Sequence, residues 1–284
     1  MSKVAIVTDS SAYIPKDLVD QYNITVVPLV LIWGEQTYED GVTIQSDEFY
    51  TRLSTAKILP TTSQVSVPHM KQAFTTLLEQ GFEVLGIFLS SKLSGTIQSA
   101  VQGREALTSG QDKVEIIDSY TTAMAMGFQV LAAARAAQAG APMAEIKKLI
   151  EQARANTGVY FVVDTLEFLH RGGRIGGAAR LLGTALNLKP ILTINDGKVD
   201  SLERIRTKGK AIERMVEIVG THIEGKSHIR LASLHANASA EARDLLDKAS
   251  KATNAVESVF TSVSPVVGSH IGPGTVGLAY MTDL

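Results

Sequence analysis

Three short polar segments hold residue types that bind anions. Residues 61–63 read Thr-Thr-Ser and present a run of hydroxyls after a proline. Residues 94–96 read Ser-Gly-Thr at the start of a predicted helix, where unpaired backbone N–H groups favour negative charge. Residues 171–174 read Arg-Gly-Gly-Arg, and arginine is suited to carboxylates and phosphates while glycine permits close backbone approach. Taken singly, each segment also suits a surface loop or a helix cap.

A fourth segment places a histidine among glycines. Residues 268–272 read Gly-Ser-His-Ile-Gly, so we expect Ser269 and His270 in a glycine-rich loop and not on an apolar helix face. Together the four segments supply the groups of an anion-binding site. They lack the acid, base and nucleophile set of a hydrolase. If the anion is a headgroup, the apolar bulk of the chain leaves room for a hydrocarbon ligand.

Several chemistries are excluded by the composition. The chain has no cysteine, so it has no disulfide, cysteine-bound zinc, iron–sulfur cluster or thiol nucleophile. It contains no phosphate-loop motif, no Gly-x-Ser-x-Gly and no His-Glu-x-x-His. The six histidines are not at metal-ligand spacing, so we expect no metal site. The Gly-Pro-Gly-Thr-Val-Gly at residues 272–277 lies too near the end for a dinucleotide fold and predicts a tight turn.

Length and charge indicate a soluble protein of about two domains. The chain has 284 residues, of which 45% are hydrophobic and 20% charged, with a net charge of −2. We expect no nucleic-acid partner, since the charge is not basic overall. The apolar run at the N-terminus is too short for a signal peptide, and no apolar run is long enough to span a membrane. We therefore expect a cytoplasmic protein without stable membrane insertion.

One stretch of the second half is basic. Residues 170–214 hold ten basic and four acidic residues. A solvated surface explains such a stretch as well as an anion site or a docking face does. If this stretch is a docking face, we predict that Arg204 and Arg206 dock the partner.

The first half alternates between strand and helix patterns, which predicts a mostly parallel sheet with helices on its faces. In such a sheet, loops at the carboxyl ends of strands bind ligands. The predicted strands cover residues 3–7, 25–32, 84–89 and 113–117. The predicted helices cover residues 16–22, 47–54, 67–80, 94–107, 121–139 and 143–156.

The second half predicts an α/β domain with some antiparallel pairing. Asn195-Asp196-Gly197 between two apolar runs is typical of a hairpin turn. The predicted strands cover residues 159–163, 191–194, 199–202, 229–235 and 256–262, and the predicted helices cover 165–170, 208–220 and 240–252. The fold class is thus α/β with two α/β domains, residues 1–156 with a mostly parallel sheet and residues 157–284 with a mixed sheet.

In combination, these segments resemble the DegV family of bacterial proteins over nearly the whole chain. The agreement lies in many short segments that occur in one order. They are residues 8–11, 60–64, 90–96 with 98–100, 118–119, 168–175, 189–192, 206–207, 235–236 and 268–277.

The resemblance implies a carrier that is not itself an enzyme. Characterised members are the FakB subunits of bacterial fatty acid kinase, which hold one long-chain fatty acid in a tunnel. An ATP-binding kinase subunit then phosphorylates the carboxylate to an acyl phosphate for phospholipid synthesis, and an acyltransferase is a further candidate partner. No cofactor is implied. By resemblance, the carboxylate end of the tunnel lies near the domain interface.

The resemblance also implies which residues surround the carboxylate, namely Thr62, Ser94, Arg174 and His270. Additional candidates are Thr61, Ser63, Gly95, Thr96, Arg171 and Ser269.

Two other readings stay open. The protein is an enzyme subunit similar to dihydroxyacetone kinase, which binds a small carbonyl substrate through histidine, or it is a regulatory module that senses lipid. The ligand retained on purification separates the carrier from the enzyme. A partner kinase with ATP separates the carrier from the sensor.

Overall fold

The computed structural model describes residues 3–183 and 188–284; the basic stretch 170–214 includes residues 184–187, which lie outside that description. The strands are β1 Val4–Asp9, β2 Thr25–Val27, β3 Val30–Trp33, β4 Gln36–Glu39, β5 Thr61–Ser63, β6 Glu83–Phe88, β7 Val114–Asp118, β8 Thr157–Val162, β9 Lys189–Asn195, β10 Lys198–Ile205, β11 Arg230–His235, β12 Glu257–Ser262 and β13 Val276–Met281. The helices are α1 Lys16–Gln21, α2 Ser46–Leu53, α3 Val67–Glu79, α4 Thr96–Glu105, α5 Ala123–Gln138, α6 Met143–Ala155, α7 Glu167–Arg171, α8 Lys208–Ile223, α9 Ser239–Lys251 and α10 Pro265–Ile271.

The first sheet is parallel and has the strand order β2-β1-β6-β7. Its central strands β1 and β6 are mostly apolar and almost wholly buried, as strands covered on both faces must be. Strand β1 has β2 on one side and β6 on the other, so the order of the strands reverses direction at β1. Ligands of open α/β sheets bind at the carboxyl ends of strands beside such a reversal. The predicted parallel sheet is confirmed.

The second sheet is mixed and has the order β10-β9-β8-β13-β11-β12. Strands β11 and β12 are parallel, and the other neighbours are antiparallel. The predicted hairpin joins β9 to β10 through Asp196 and Gly197, with φ values of 45° and 74°. Two positive φ angles are what a tight two-residue hairpin turn requires. The predicted mixed sheet is also confirmed.

The central strand β13 was not anticipated, because its glycine-rich approach predicts only a turn. Gly277 lies within β13, between β8 and β11. A Cβ at Gly277 would lie 2.4 Å from the Leu234 side chain and 3.1 Å from that of Phe161. The glycine therefore marks a close approach of neighbouring side chains inside a strand and not the end of one.

A third, small sheet corrects the predicted strand over residues 25–32. Pro28 divides that run, so β2 stays in the parallel sheet while β3 pairs antiparallel with β4 and β5. Residues 61–63, predicted as a loop, form β5, with Thr62 opposite Leu31. The hydroxyl-rich segment is thus held in an ordered strand.

Helix α5 lies between the two larger sheets and contacts β1, β6, β8 and β13. Its residues 123–134 are all buried, since all of them except Gln129 are apolar or small. Both sheets contribute to one apolar core around it. The parallel sheet lies within residues 4–118 and the mixed sheet within 157–281; a domain division at 156/157 stays a prediction. Within the described residues, no helix has the length and apolar character to cross a membrane.

Candidate functional site

The buried carboxylate of Asp9 fixes the loops at the carboxyl ends of β1 and β6. Its Oδ1 accepts hydrogen bonds from the Ser11 backbone N–H (2.9 Å) and hydroxyl (2.6 Å), and its Oδ2 accepts one from the Leu89 N–H (2.9 Å). Burial raises the pKa of Asp9, and these hydrogen bonds act in the opposite direction. One side chain therefore sets where the segment after β6, which contains Ser94, leaves the sheet.

Ser94 lies just before helix α4 and does not begin it. The helix starts at Thr96, two residues later than predicted, with Gly95 as the preceding cap residue. The Ser94 Oγ lies 3.0 Å from the Thr96 Oγ1, so the two hydroxyls bond to each other. Ser94 is half-buried, while Thr96 is buried. The Ser94 hydroxyl therefore stands at the open start of a helix.

The structure brings Thr62 and His270 together, although they are far apart in sequence. The Thr62 Oγ1 lies 2.7 Å from the His270 Nε2. Thr62 is half-buried on β5, whereas its neighbours Thr61 and Ser63 are exposed, in keeping with the alternation of side chains along a strand. Strand β5 thereby directs the middle hydroxyl of the segment toward the histidine.

The expected glycine-rich loop around His270 is wrong. His270 lies in the last turn of α10, which has Pro265 in its first turn and ends at Gly272 with φ 74°. Gly268 lies inside this helix, and the position needs glycine because a Cβ there would lie 2.4 Å from the Tyr50 hydroxyl oxygen. The glycines thus serve a close packing contact and a helix end, and His270 is fixed on a helix.

The His270 ring is neutral at ordinary pH. Burial, and secondarily the positive charge of Arg174, lower the pKa of His270 from 6.5 to about 4. Its Nδ1 is buried and has no hydrogen-bond partner among the described residues. A Cβ at Gly172 would lie 2.1 Å from that Nδ1. The ring therefore packs against the backbone of the Arg-Gly-Gly-Arg segment, where only glycine leaves room for it.

Arg174 joins this segment to the loop that precedes Ser94. Its Nε donates to the Leu93 carbonyl (3.1 Å) and its Nη1 to the Gly172 carbonyl (2.8 Å). Arg171 points elsewhere and forms an exposed ion pair with Glu167 (2.8 Å). Of the two arginines, Arg174 is the one beside the histidine and the serine loop.

The four leading candidates line one cavity, which lies between the two larger sheets. The space between its lining residues is about 940 Å³, including the part open to solvent. Most of the wall is apolar and comes from both halves of the chain. The polar and charged side chains in the wall are those of Thr62, Ser63, Gln64, Ser94, Thr122, Arg174 and His270. The rest of the wall is formed by Tyr13, Leu29, Leu89, Leu93, Ala123, Val159, Phe161, Leu169, Ile194, Val199, Leu234, Val263, Val266, Val267 and Ile271.

Most of the additional candidates do not line the cavity. Thr61, Gly95, Thr96, Arg171 and Ser269 are outside its wall, and the Ser269 hydroxyl donates to the Pro265 carbonyl instead (2.8 Å). Ser63 does line it.

Three polar residues of the wall, namely Gln64, Thr122 and Tyr13, were not predicted from the sequence. Gln64 closes the hydroxyl segment, and its side chain packs on Gly95, where a Cβ would lie 3.1 Å away. Its place directly after Thr-Thr-Ser was the only indication in the sequence. Tyr13 had none, because it follows a turn and belongs to no apolar period.

The β9–β10 hairpin closes one side of the cavity. Ile194 and Val199 line the wall, and the Ser90 hydroxyl donates to the Gly197 carbonyl at the hairpin turn (2.9 Å). The turn of the mixed sheet is thus bonded to the loop after β6 of the parallel sheet. This contact holds the Ser94 loop against the second half of the chain.

The chain belongs to the DegV family. The family model described as "Uncharacterised protein, DegV family" matches residues 3–283. A DegV domain-containing protein of Clostridium perfringens is 36% identical over 282 residues, which is 99% of either chain.

Solved structures of the family share the fold. A DegV family protein from Thermus thermophilus, described by its fatty acid binding, is 33% identical with a TM-score of 0.93, covering 99% of this chain and 100% of that one. DegV from Bacillus subtilis, described as a fatty acid binding protein, is 32% identical with a TM-score of 0.91, covering both chains fully at 100%. The two-sheet architecture is therefore that of the family.

The low pKa of His270 predicts a pH effect on stability. Because the folded protein resists protonating this ring, the unfolded state binds the proton at higher pH, and stability falls as the pH drops from 6.5 toward 4. Replacing His270 with asparagine removes this loss of stability. Between about pH 7 and about pH 4.5, we expect the free energy of unfolding to fall by about 2–3 kcal/mol less in the variant than in the wild type. Urea unfolding of the ligand-free proteins measures this difference.

Comparing the wild type with the asparagine variant separates the contribution of His270 to the pH dependence of stability from that of other titrating groups. Burial raises the pKa of Asp40 from 3.8 to about 6, so that carboxyl adds stability as the pH falls, but it does so in both proteins. Equal acid sensitivity of the wild type and the asparagine variant would show that His270 does not titrate as a buried neutral ring.

Proposed function

We propose that this protein binds one long-chain fatty acid and presents its carboxylate to an ATP-binding kinase subunit. The observation that carries the proposal is an apolar cavity with one connected polar group at its wall. The Thr62 hydroxyl bonds the His270 ring, and the Arg174 guanidinium donates to the Leu93 and Gly172 carbonyls. The two family structures described as fatty acid binding, at 33% and 32% identity, support the same ligand.

Burial of hydrocarbon supplies the affinity. Each methylene removed from water contributes about 0.8 kcal/mol, so a long acyl chain gains on the order of 10 kcal/mol. Association and ordering costs offset part of this gain, which leaves binding tight but reversible. The apolar wall, drawn from both halves of the chain, matches such a chain in chemistry.

A neutral His270 prepares Thr62 to hold a carboxylate. With its proton on Nε2, the ring donates to the Thr62 Oγ1, 2.7 Å away. The Thr62 hydroxyl proton is then free to donate to a carboxylate oxygen. Such charge-assisted hydrogen bonds, with a second one from Ser94, offset the cost of taking the carboxylate out of water. The Arg174 guanidinium adds positive charge beside them.

The chain's own residues orient the nucleophile for phosphoryl transfer. A carboxylate oxygen attacks the γ-phosphorus of ATP, a new O–P bond forms, and the bond to the leaving ADP oxygen breaks. The kinase subunit supplies ATP and its metal ion. Among the described residues no group of three or more histidine or carboxylate side chains is placed to hold a metal.

Mass spectrometry of an organic extract of the purified protein tests the binding step. We expect one long-chain fatty acid per chain, and delipidated protein should bind added oleate. Adding the cognate kinase subunit with ATP then tests presentation, and we expect acyl phosphate. Lipid binding without acyl phosphate would favour the sensing module, whereas a protein that neither retains nor binds fatty acid would contradict the carrier.

The docking surface is predicted to include Arg204 and Arg206. Both are exposed, and neither side chain has a hydrogen bond or ion pair with the described residues. Lys208 is already paired with Glu241 (3.0 Å), and Arg214 is paired with Glu203 (2.8 Å). The basic stretch thus leaves these two arginines free for an acidic partner.

Reversing either charge, by Arg204→Glu or Arg206→Glu, should slow acyl phosphate formation about tenfold at low kinase concentration. The defect should diminish at high salt, and fatty acid affinity should stay unchanged. Lys251→Glu is the matched control, because Lys251 lies beside Ile223 at the opposite end of α8. Equal rates in all three variants would contradict the docking role, and loss of lipid binding would assign the arginines to the pocket instead.

A further inference from the structure

A buried carboxylate outside the cavity wall has no cation beside it. Asp40 follows β4 and is only 1% exposed. Its carboxylate accepts hydrogen bonds but forms no ion pair within the described part of the chain. Burial raises the pKa of Asp40 from 3.8 to about 6, since the charge is taken out of water. A buried charge of this kind is tolerated only where hydrogen bonds hold it.

Hydrogen bonds from two separate parts of the chain hold this carboxylate. The Ser10 hydroxyl, in the turn after β1, donates to Oδ2 (2.7 Å), and the Val266 backbone N–H, in α10, donates to Oδ1 (3.1 Å). The Ser264 hydroxyl acts with these bonds to lower the pKa of Asp40 against the effect of burial. An ionised carboxylate only accepts hydrogen bonds, so it suits a point where donors meet. An asparagine of the same size would have to turn its NH2 group toward one of them.

On one side, Asp40 is bonded to the start of strand β3. Its backbone N–H donates to the Leu29 carbonyl (2.9 Å), and the Ser10 hydroxyl oxygen accepts from the Leu29 N–H (3.1 Å). Leu29 directly precedes β3, in which Leu31 lies opposite Thr62 of β5. The bonds around Asp40 therefore fix the small sheet that carries Thr62.

On the other side, Asp40 is bonded to the first turn of α10. Negative charge is favoured at the start of a helix, where the backbone N–H groups have no partner within the helix. Val266 lies in this turn, and His270 follows four positions later on the same side of the helix. The contact between the Thr62 Oγ1 and the His270 Nε2 (2.7 Å) closes a ring through Asp40, α10 and the small sheet. The distance between these two atoms thus depends on where Asp40 holds the two elements.

We propose that Asp40 is a positioning residue of the carboxylate site, whose ionised side chain sets the distance between Thr62 and His270 and thereby the preference for a carboxylate headgroup. The proposal rests on the proposed function, in which the carboxylate binds at Thr62. Asp40 lies outside the cavity wall, so it acts through α10 and the small sheet and not by touching the ligand. Without its acceptor, α10 shifts and His270 no longer meets the Thr62 hydroxyl. The apolar wall remains, so the hydrocarbon still binds.

Titration of delipidated Asp40→Asn with oleate and with oleyl alcohol tests this role. The two ligands share one hydrocarbon chain and differ in the headgroup. We expect the ratio of oleate affinity to oleyl alcohol affinity to fall about tenfold, as loss of one hydrogen bond to a charged group predicts. The NMR signals of the His270 ring nitrogens should change as well, because Nε2 loses its partner.

Ser10→Ala is a second variant, which decides the question if Asp40→Asn does not fold. It removes one donor to the carboxylate and keeps the carboxylate itself. We expect the affinity ratio to fall about threefold, in the same direction. Asp47→Asn is the matched control, because Asp47 is exposed on α2 and its carboxylate has no hydrogen bond or ion pair with the described residues. It should change neither the ratio nor the His270 signals.

Two results would refute the positioning role. In the first, a variant weakens oleate and oleyl alcohol equally and leaves the His270 signals unchanged, so that Asp40 only stabilises the fold. In the second, both folded variants keep the affinity ratio of the wild type. If the wild type itself binds neither ligand, the proposed function has failed, so the two failures are told apart.

Discussion

Replacing Thr62 with valine should weaken oleate binding by about tenfold to a hundredfold. The substitution keeps the branched shape that suits β5 but removes the hydroxyl that we propose donates to the carboxylate. A hydrogen bond to a charged group contributes about 1.5–3 kcal/mol, and each 1.4 kcal/mol is a factor of ten in affinity. The His270 Nε2 also loses its 2.7 Å partner. Calorimetric titration of delipidated protein with oleate measures the effect.

Thr61 provides a neighbouring control with the same chemistry. It precedes Thr62 on β5, is exposed, and lies outside the cavity wall. Thr61→Val should therefore leave oleate affinity unchanged. If both valine variants bind oleate as the wild type does, Thr62 does not hold the carboxylate. If both weaken binding equally, the effect belongs to the strand and not to the hydroxyl.

The sequence predicted the sheets better than the site that they build. Apolar patterns determine which segments become strands and helices, so the parallel sheet, the mixed sheet and the helix α5 were anticipated, but the burial of α5 was not. The β9–β10 turn was also anticipated, since Asp196-Gly197 demands positive φ angles. These features follow from local patterns, which a single sequence contains.

Contacts between distant segments were beyond such patterns. The pairing of Thr62 with His270 joins residues 208 positions apart, and only the resemblance to a family grouped them. Glycines led to wrong predictions at three places, because Gly268 and Gly277 serve close packing and Gly272 ends a helix. A glycine that makes room for a neighbour looks the same in sequence as one that makes a turn.

The same ambiguity applies to Gly172, where the structure assigns a reason that the sequence leaves open. The backbone there has φ −75°, which any residue adopts, so the glycine is not required by the turn. The required feature is space. Gly172 takes the place beside the His270 ring, and the paired glycine Gly173 has φ 70° with nothing near its absent side chain. The two glycines of one segment therefore serve different purposes.

Gly172→Ala is expected to displace His270 and cost both stability and binding. The new Cβ would lie 2.1 Å from the His270 Nδ1 and 3.1 Å from the Phe168 carbonyl oxygen. Overpacking of this kind costs about 1–3 kcal/mol, and a displaced ring no longer bonds Thr62. We expect oleate affinity to fall at least as far as in Thr62→Val, together with a lower midpoint of urea unfolding. Gly209→Ala, with open space around it, should change neither quantity.

A double variant separates the steric effect from any general weakness of the segment. In a chain with His270→Ala, the space beside Gly172 is empty, so adding Gly172→Ala should cost little further stability. The two substitutions should therefore be non-additive, with a coupling of about 1–3 kcal/mol, as expected for residues in direct contact. Additive losses would mean that Gly172 acts through the backbone of its own turn. Strong coupling would establish that residue 172 is glycine because the backbone there packs against His270.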